Sequence, residues 1–375
     1  MAGDKHQAAE RARRWPSRVC VPGRLGVSLA LLSAILFGAS TPVAKTLLGS
    51  VDPWLLAGLL YLGAGIGLCA VQVARGALGL PAAEAPLRRS DLPWLAATIV
   101  AGGIVGPVLL MLGLARIDAA AASLLLNLES LATMAIAWLA FRENVDRRLL
   151  LGAFAILAGA VALSWQGQGA RLDLGALLVA GACLAWGIDN NLTRKLSAAD
   201  PVQIAMTKGL AAGPVNLALA LAHGAALPDP GTILLAGLVG FVGYGVSLVL
   251  FVLGLRHLGT ARTGAYFSLA PFIGAVLAVA FLGDPLSAQL LVAGSLMAVG
   301  LWLHLTERHE HEHVHEALEH EHRHVHDEHH RHAHQAGEAV EEPHAHRHRH
   351  EPLRHKHPHY PDLHHRHAHH SFDRA

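Results

Sequence analysis

The sequence predicts an all-α integral membrane protein in which ten transmembrane helices form two inverted five-helix repeats. Its 375 residues are 53% hydrophobic and 15% charged, and the apolar residues gather in segments long enough to cross a hydrocarbon core of about 30 Å. Residues 112–143 align without a gap with residues 253–284. Lysine and arginine concentrate in alternate connections, as they do in membrane proteins whose loops lie on alternating sides.

Four regions follow from the change in composition along the chain. Residues 1–23 form a basic N-terminal segment, residues 24–166 form the first repeat, and residues 167–305 form the second repeat. Residues 306–375 are dense in His, Glu and Arg and contain few apolar residues. Because such a segment cannot bury enough apolar surface to fold by itself, we expect a disordered His-rich tail that binds metal.

The ten spans are separated by short connections that carry proline and aspartate, as at Asp52-Pro53 and Asp200-Pro201. The predicted spans are residues 25–47, 54–74, 92–112, 119–141, 149–165, 174–193, 202–222, 231–254, 261–282 and 286–304. Glycine and alanine are frequent within them, and small residues let helices approach closely in lipid. We therefore expect most of these glycines to form packing seams rather than binding sites.

The internal repeat is visible in two alignments. Both copies of the first begin with Leu-Gly-Leu and end on an acid, Glu143 in one and Asp284 in the other. Residues 26–38 resemble residues 175–187 at a slightly larger offset. Because each half has an odd number of spans, the halves must sit in opposite orientations. Secondary transporters commonly have this arrangement, with the substrate site between the halves.

Positively charged residues set the expected orientation. They cluster before the first span and in the loops that follow the second, fourth, sixth and eighth spans. Since loops rich in Lys and Arg stay in the cytoplasm, both termini should be cytoplasmic. The protein should be an integral, multi-pass component of the inner or plasma membrane.

Ionisable residues inside a span cost about 2.5–3.5 kcal/mol at the helix centre and therefore need a reason. Glu129 lies in the middle of the fourth span beside Asn127, and Lys208 lies in the seventh. We favour substrate binding or proton coupling for Glu129, with Lys208 as its partner or as a substrate anchor. A packing role is the alternative for both residues. Lys45 lies late in the first span and either faces a cavity or extends to the interface.

Two further features are candidates for a site. Asp189, Asn190 and Asn191 form a polar triplet near the end of the sixth span, where they either line the mouth of a cavity or cap the helix. Pro271 should bend the ninth helix. A bend beside a cavity suits a gating helix, although prolines also occur in spans without such a role.

Short motifs recur in a fixed order through residues 25–305. They are Phe37-Gly38-Ala39-Ser40 with Lys45, Trp186-Gly187, the Leu-Gly-Leu turns, Leu128-Glu129-Ser130 before Glu143, and Leu269-Ala270-Pro271 before Asp284. In the order and spacing of these motifs the chain resembles the EamA-like ten-helix group of the drug/metabolite transporter superfamily. The resemblance implies export or uptake of small metabolites by alternating access, through a cavity built from the first four helices of each half. It implies no enzymatic chemistry.

Two positions depart from the pattern of that group. Ser130 stands where the group usually has proline, and Tyr61 stands about where many members carry an arginine. Both lie near the cavity that the resemblance implies. Tyr61 therefore joins the candidate site residues, and the substrate of a typical member is not assumed for this chain.

The tail holds most of the 28 histidines. The candidate metal ligands are His309, His311, His313, His315, His320, His322, His324, His326, His344, His346, His348 and His350. Neutral imidazole is a good ligand for zinc, copper and nickel, so we expect the tail to bind zinc, nickel, cobalt or copper. Its role is open between metal sensing, loading of a metal transporter, pH sensing, and an extension without a transport role.

The sequence thus predicts a secondary transporter of small metabolites with a cytoplasmic metal-binding tail, and it predicts no enzyme and no required cofactor. One alternative is a nickel, cobalt or zinc transporter or exporter that is loaded or regulated through the tail. Another is a membrane-bound metal sensor that transports nothing. The expected partners are the lipid bilayer, a small-molecule substrate and divalent metal ions. Homodimer formation is open, and no nucleic acid is expected.

Overall fold

The membrane part of the protein is built from helices. The computed structural model describes residues 22–79, 87–141, 147–165, 173–193, 196 and 199–306 except 259, together with four six-residue segments of the tail. The helices of the first half are α1 (Pro22–Leu47), α2 (Pro53–Ala77), α3 (Leu92–Thr98), α4 (Gly106–Leu114), α5 (Ala119–Leu125), α6 (Leu128–Phe141) and α7 (Arg147–Ser164). A 3-10 turn at Arg89–Asp91 precedes α3, and a π-helical segment, π1 (Ile99–Val105), joins α3 to α4.

The second half repeats this order. Its helices are α8 (Leu174–Thr193), α9 (Pro201–Ala222), α10 (Pro230–Gly240), α11 (Ser247–Leu258), α12 (Thr260–Phe267), α13 (Ala270–Leu277) and α14 (Ala288–Leu305). The π-helical segment π2 (Phe241–Val246) joins α10 to α11, and π3 (Ala278–Leu282) extends α13. π1 and π2 thus lie in the third span of each half.

Across the described residues, eight helices are long and apolar enough to cross a membrane. They occupy the first five predicted positions and the seventh, eighth and tenth. The sixth position is filled by α8, and the ninth is divided into α12, α13 and π3, of which Ala270–Leu282 is apolar but shorter than a full span. The all-helical membrane part is confirmed, while the count of ten spans and the inversion of the repeats stay predictions.

The Asp-Pro connections work as helix starts. The Asp52 carboxylate accepts hydrogen bonds from the amides of Trp54 and Leu55 at 2.9 and 3.2 Å, and Asp200 accepts from Val202 at 2.8 Å. In each case the following proline occupies the first helical turn, where its missing N–H costs nothing. The aspartates of these Asp-Pro connections are therefore helix N-caps.

Asp229 caps α10 in the same way at the end of a loop. Its carboxylate accepts hydrogen bonds from the hydroxyl and the amide of Thr232, at 2.6 and 3.1 Å. The Thr232 hydroxyl, and then the amide, hold the pKa of Asp229 below its usual value. This carboxylate stays charged and stabilises the positive end of the helix dipole.

Close contact over glycine joins α2 to α9. A Cβ at Gly209 would lie 2.6 Å from the Gly65 nitrogen and 2.6 Å from the Tyr61 carbonyl oxygen, and one at Gly213 would lie 2.6 Å from the Leu62 nitrogen. All three distances are too short for real atoms. The expectation that span glycines form packing seams is confirmed for this pair of helices, which approach backbone to backbone.

Contacts between loops show which connections share an end of the bundle. The Leu87 amide donates to Gln203 Oε1 at 3.2 Å, so the loops before α3 and α9 meet. The rings of Trp54 and His223 lie 5.5 Å apart, so the loops before α2 and after α9 meet at the other end. Both results agree with the alternation of loops that the charge pattern predicts. Which end is cytoplasmic stays a prediction.

The described tail segments form two antiparallel ladders. β1 (Glu310–His315) pairs with β4 (Leu353–Pro358), and β2 (Glu319–His324) pairs with β3 (His344–Arg349). The disorder of the tail as a whole stays a prediction. The candidate ligands His309, His326 and His350 lie outside the described residues, as does Glu143.

Glycine packing between α2 and α9 gives the first testable prediction. Gly209→Ala should lower the free energy of unfolding in detergent by about 1–3 kcal/mol, because the new methyl group overpacks the seam. Gly76→Ala is the matched control, since no heavy atom lies within 4 Å of a Cβ at that helical position. It should be neutral or stabilising. Equal effects of both substitutions on the unfolding midpoint would contradict the seam.

Candidate functional site

The fourth and ninth spans are each interrupted near their centre. α5 ends at Leu125 and α6 begins at Leu128, while α12 ends at Phe267 and α13 begins at Ala270. The Ser130 hydroxyl donates to the Asn127 carbonyl at 2.8 Å within the first break. Broken helices at membrane depth are typical of transporter binding sites, because their free backbone groups can face a ligand.

Pro271 lies in the first turn of α13, directly after the second break. There its ring needs no hydrogen-bonded N–H, which is the position where proline is best tolerated. The ninth span is thus interrupted before Pro271 and restarts with it. Ser130 occupies the aligned place in the fourth span, where a break forms without a proline.

Two carbonyl groups of π1 accept side-chain hydrogen bonds from other helices. The Gly102 carbonyl accepts from the Tyr61 hydroxyl at 2.5 Å and from the Trp186 indole N–H at 3.0 Å. The Gly103 carbonyl accepts from Asn216 Nδ2 at 3.0 Å. A π-helical turn shifts carbonyls out of the regular helical pattern, and such turns are frequent at functional sites. Side chains of α2, α8 and α9 therefore all hydrogen-bond to π1.

Lys208 and Asp189 form a buried ion pair beside π1. Lys208 Nζ donates to Asp189 Oδ2, with the two side chains 11% and 9% exposed. The other carboxylate oxygen accepts from the Thr193 hydroxyl at 3.1 Å. In this conformation the hydrogen-bonded partner of Lys208 is therefore Asp189, near the end of α8. That Lys208 serves Glu129 or a substrate stays a prediction.

Glu129 lies in the first turn of α6 and is only partly buried. Asn190 Nδ2 donates to Glu129 Oε1 at 2.9 Å and lies 3.2 Å from the Thr133 hydroxyl. A neutral amide is thus the hydrogen-bond partner of this carboxylate. We call Tyr61, Glu129, Asp189, Asn190 and Lys208 the central polar cluster. It contains five of the eight residues that the sequence singled out for the membrane part.

Lys45 and Asn127 have structural contacts instead. Lys45 Nζ donates to the carbonyls of Leu114 and Ile117 at 2.7 and 2.8 Å, so it caps the C-terminal end of α4. Asn127 Nδ2 donates to the Leu124 carbonyl at 2.8 Å, within its own break. Both bonds satisfy carbonyls that a helix end leaves free.

A row of aromatic rings leads away from the central polar cluster towards α11 and α12. The rings of Tyr61 and Tyr244 lie 5.7 Å apart, those of Tyr244 and Phe37 lie 5.8 Å apart, and those of Phe37 and Phe267 lie 5.4 Å apart. Phe251 continues the row at 4.8 Å from Phe267. Apart from Tyr61, these rings are only partly buried. We call them the aromatic row.

The two halves of the broken spans pack differently. α5 packs against α13 and α1, whereas α6 packs against α8 and α7. A contact across the two halves also holds α5, because its Ala120 amide donates to Asp284 Oδ2 at 2.8 Å. The bundle is thus joined across its halves at the end where α5 and α13 meet.

Comparison with known proteins gives the family. The model of the EamA-like transporter family matches residues 24–165 and again residues 173–306. The chain belongs to the EamA-like transporter family. Both matches lie close to the repeats that the sequence predicts, and the tail lies outside them.

Relatives of this EamA-like transporter include named transporters. The chain is 28% identical over 317 residues to an uncharacterised transporter of Methanothermobacter thermautotrophicus, covering 81% of this chain and 90% of the relative. It is 28% identical over 261 residues to a probable terminal-alkyne amino-acid exporter of Streptantibioticus cattleyicolor, covering 64% and 83%. A solved structure with 20% identity shares the fold at a TM-score of 0.57, covering 75% of this chain and 98% of that one.

Two polar residues of the EamA-like transporter, Asn216 and Thr193, escape sequence reasoning. Asn216 is fully buried, with Oδ1 unpaired. Asn191, which follows Asp189 and Asn190, donates to the Thr133 and Gly187 carbonyls at 3.0 and 2.8 Å. The available signal was a polar residue within a span, and Asn216 lies eight residues after Lys208. An uncharged amide costs less in lipid than an ionised group, so that signal is weaker.

Metal ligands do not gather among the described residues of the membrane part. Among the residues whose side chains the structure describes, no group of three His, Cys, Asp or Glu could hold a metal ion. A cavity of about 900 Å³ is lined by Arg116, Asp118, Asp173 and Gln289 at the end where α5 begins. It contains no residue of the central polar cluster. We therefore place the candidate site at the cluster.

The ion pair gives the second prediction. Lys208→Met should lower the free energy of unfolding in detergent by about 3–5 kcal/mol, because it leaves the Asp189 charge buried without its partner. Adding Asp189→Asn should restore most of that loss, since the double variant buries no charge. A double-mutant cycle with denaturant unfolding measures both. Additive losses would show that the two side chains do not depend on each other.

Proposed function

We propose that the protein is a secondary transporter that moves small zwitterionic metabolites of the amino-acid class across the cytoplasmic membrane by alternating access. The observation that carries this proposal is the central polar cluster, which holds two carboxylates and one ammonium group at membrane depth. Charged groups at that depth have a high free-energy cost, and they commonly mark substrate or ion pathways.

The cluster offers complementary groups to both ends of a zwitterion. Glu129 is partly exposed and bonded to a neutral amide, so its charge is free to bind a substrate ammonium group or a proton. Lys208 is neutralised by Asp189 in this conformation. A substrate carboxylate that approaches the pair can share the lysine, because an ammonium group has three donors.

The aromatic row favours a substrate with an apolar side chain. Tyr244 lies against Tyr61 of the cluster, and Phe37 and Phe267 extend the row of partly exposed rings away from it. A site that combines apolar walls with a few polar groups suits a small amphipathic ligand. The name of the Streptantibioticus relative, a probable amino-acid exporter, supports the same class of substrate.

Alternating access is supported by the broken spans. α5 packs against α13 at one end, and α6 packs against α8 at the other, so both ends are joined across the halves. Loosening one of these contacts while the other holds would open the cluster to one side of the membrane at a time. The double match to the family model and the π-segments in both third spans support two related halves. With the termini on the cytoplasmic side, the end where α5 meets α13 faces outwards.

Transport of a divalent metal has less support. Such a route needs several ligands at membrane depth, and the described side chains offer no group of three. The metabolite function therefore rests on the membrane part alone, and the tail is a separate feature.

Flux through proteoliposomes tests the site. The purified chain should exchange labelled neutral amino acids such as leucine. Glu129→Gln should lower the initial rate about ten-fold or more, because a hydrogen bond to a charged group contributes about 1.5–3 kcal/mol. Asp229→Asn is the matched control, since it makes the same acid-to-amide change at an exposed helix start, and it should leave the rate within about two-fold.

Two results would contradict the proposal. Folded wild-type protein that exchanges no amino acid would exclude the substrate class. Equal rates for wild type and Glu129→Gln would remove Glu129 from the site. A pH gradient should change the rate of the wild type but not that of Glu129→Gln if Glu129 carries the coupling proton.

A further inference from the structure

The π-helical segments π1 and π2 occupy equivalent positions in the two repeats. When the longer repeat alignment is extended towards the N-terminus, the last residue of π1, Val105, falls on the last residue of π2, Val246. In the same alignment Gly103 falls on Tyr244. The second half therefore carries a tyrosine ring at a position where the first half has no side chain.

The contacts of the two segments agree with this alignment. A Cβ at Gly102 of π1 would collide with Asp189 of α8, and a Cβ at Gly243 of π2 would lie 2.6 Å from the Ser40 Cβ of α1. Gly102 aligns with Gly243, and Asp189 aligns with Ser40 when the shorter repeat alignment is continued by two residues. Each π segment thus packs closely against the first span of the opposite half.

The chemistry around the two segments differs. The π1 side carries the ion pair between Lys208 and Asp189. On the π2 side the corresponding residues are Ser40, Phe37 and Tyr244, which carry no charge at neutral pH. An amphipathic substrate therefore has one favourable orientation, with its charged groups towards π1 and its apolar part towards π2.

Tyr244 lies where these two sides meet. Its ring centroid is 5.7 Å from that of Tyr61 in the central polar cluster and 5.8 Å from that of Phe37 in the aromatic row. The side chain is only partly buried. π2 is held on both sides, against α1 as described above and against α2 at Gly245, where a Cβ would lie 3.4 Å from the Ala64 Cα. The backbone of Tyr244 is thus fixed while part of its side chain stays exposed.

We infer that Tyr244 limits the size of the substrate side chain that the transporter accepts. The inference rests on the proposed function, because it requires a substrate whose ammonium and carboxylate groups bind at the central polar cluster. The side chain of such a substrate, when it extends towards the aromatic row, contacts Tyr244 before Phe37 or Phe267. A bulky aromatic side chain would have to displace the Tyr244 ring, and a closely packed site tolerates added volume poorly.

Competition in proteoliposomes tests this role of Tyr244. Unlabelled tryptophan and alanine each compete with the exchange of labelled leucine, and the apparent affinity of each is compared with that of unlabelled leucine. Tyr244→Ala should raise the ratio of tryptophan to leucine affinity about ten-fold or more, because a small change of fit in an apolar pocket alters relative binding by about 10- to 200-fold. Tyr244→Trp should instead raise the ratio of alanine to leucine affinity about ten-fold, since the larger ring leaves less room.

Two variants are the controls for ring volume. Tyr244→Phe keeps the ring and removes only the hydroxyl, and Phe154→Ala removes a ring from α7 that is 71% exposed. Both should keep the wild-type ratios within about two-fold. Each ratio compares substrates in one sample, so a smaller fraction of folded protein leaves it unchanged. If Tyr244→Ala does not fold, Tyr244→Leu takes its place, because it fills more of the volume and still removes the ring.

Two results would overturn the inference and leave the proposed function in place. One is retained leucine exchange with wild-type ratios in both Tyr244→Ala and Tyr244→Trp. The other is a shift in Tyr244→Phe as large as that in Tyr244→Ala, which would assign selectivity to the hydroxyl instead of the ring volume. A wild type that exchanges no amino acid would overturn the proposed function, and the inference with it.

Discussion

The buried ion pair between Lys208 and Asp189 constrains the rest of the membrane part. Two charges taken out of water are costly, and their attraction offsets that cost only with close geometry and further hydrogen bonds. The protein supplies these through the Thr193 hydroxyl and through a neighbouring glycine. Any side chain at Gly102 would collide with Asp189, so the pair can form only where the third span lacks a Cβ.

The helices around the ion pair also pack closely over small residues. α2 and α9 approach over Gly65, Gly209 and Gly213, which places Tyr61 of one helix next to Lys208 of the other. Helices in lipid gain little from burying apolar surface, so close packing has to hold them together. Packing and site are therefore one arrangement, in which small residues bring the helices close and the polar groups satisfy one another between them.

Some site residues were predictable because the sequence alone reveals an ionisable residue inside an apolar span, where it has a high free-energy cost. Glu129 and Lys208 are ionisable residues inside apolar runs, and any such residue needs a reason. Their partners were not predictable in the same way. Asp189 lies near the end of its helix, where capping is an equally good interpretation, and Lys45 lies at a similar place and does cap a helix. Neutral Asn216 gave too weak a signal to be noticed.

The sequence by itself determined the apolar spans, the helix starts at Asp-Pro, the two related halves and the unusual tail, because each depends on local composition and spacing. The tertiary structure decided which charges pair, where the fourth and ninth spans break, and which carbonyls of π1 receive donors. These features depend on the rotation of each helix, which contacts between distant residues set and no single segment encodes.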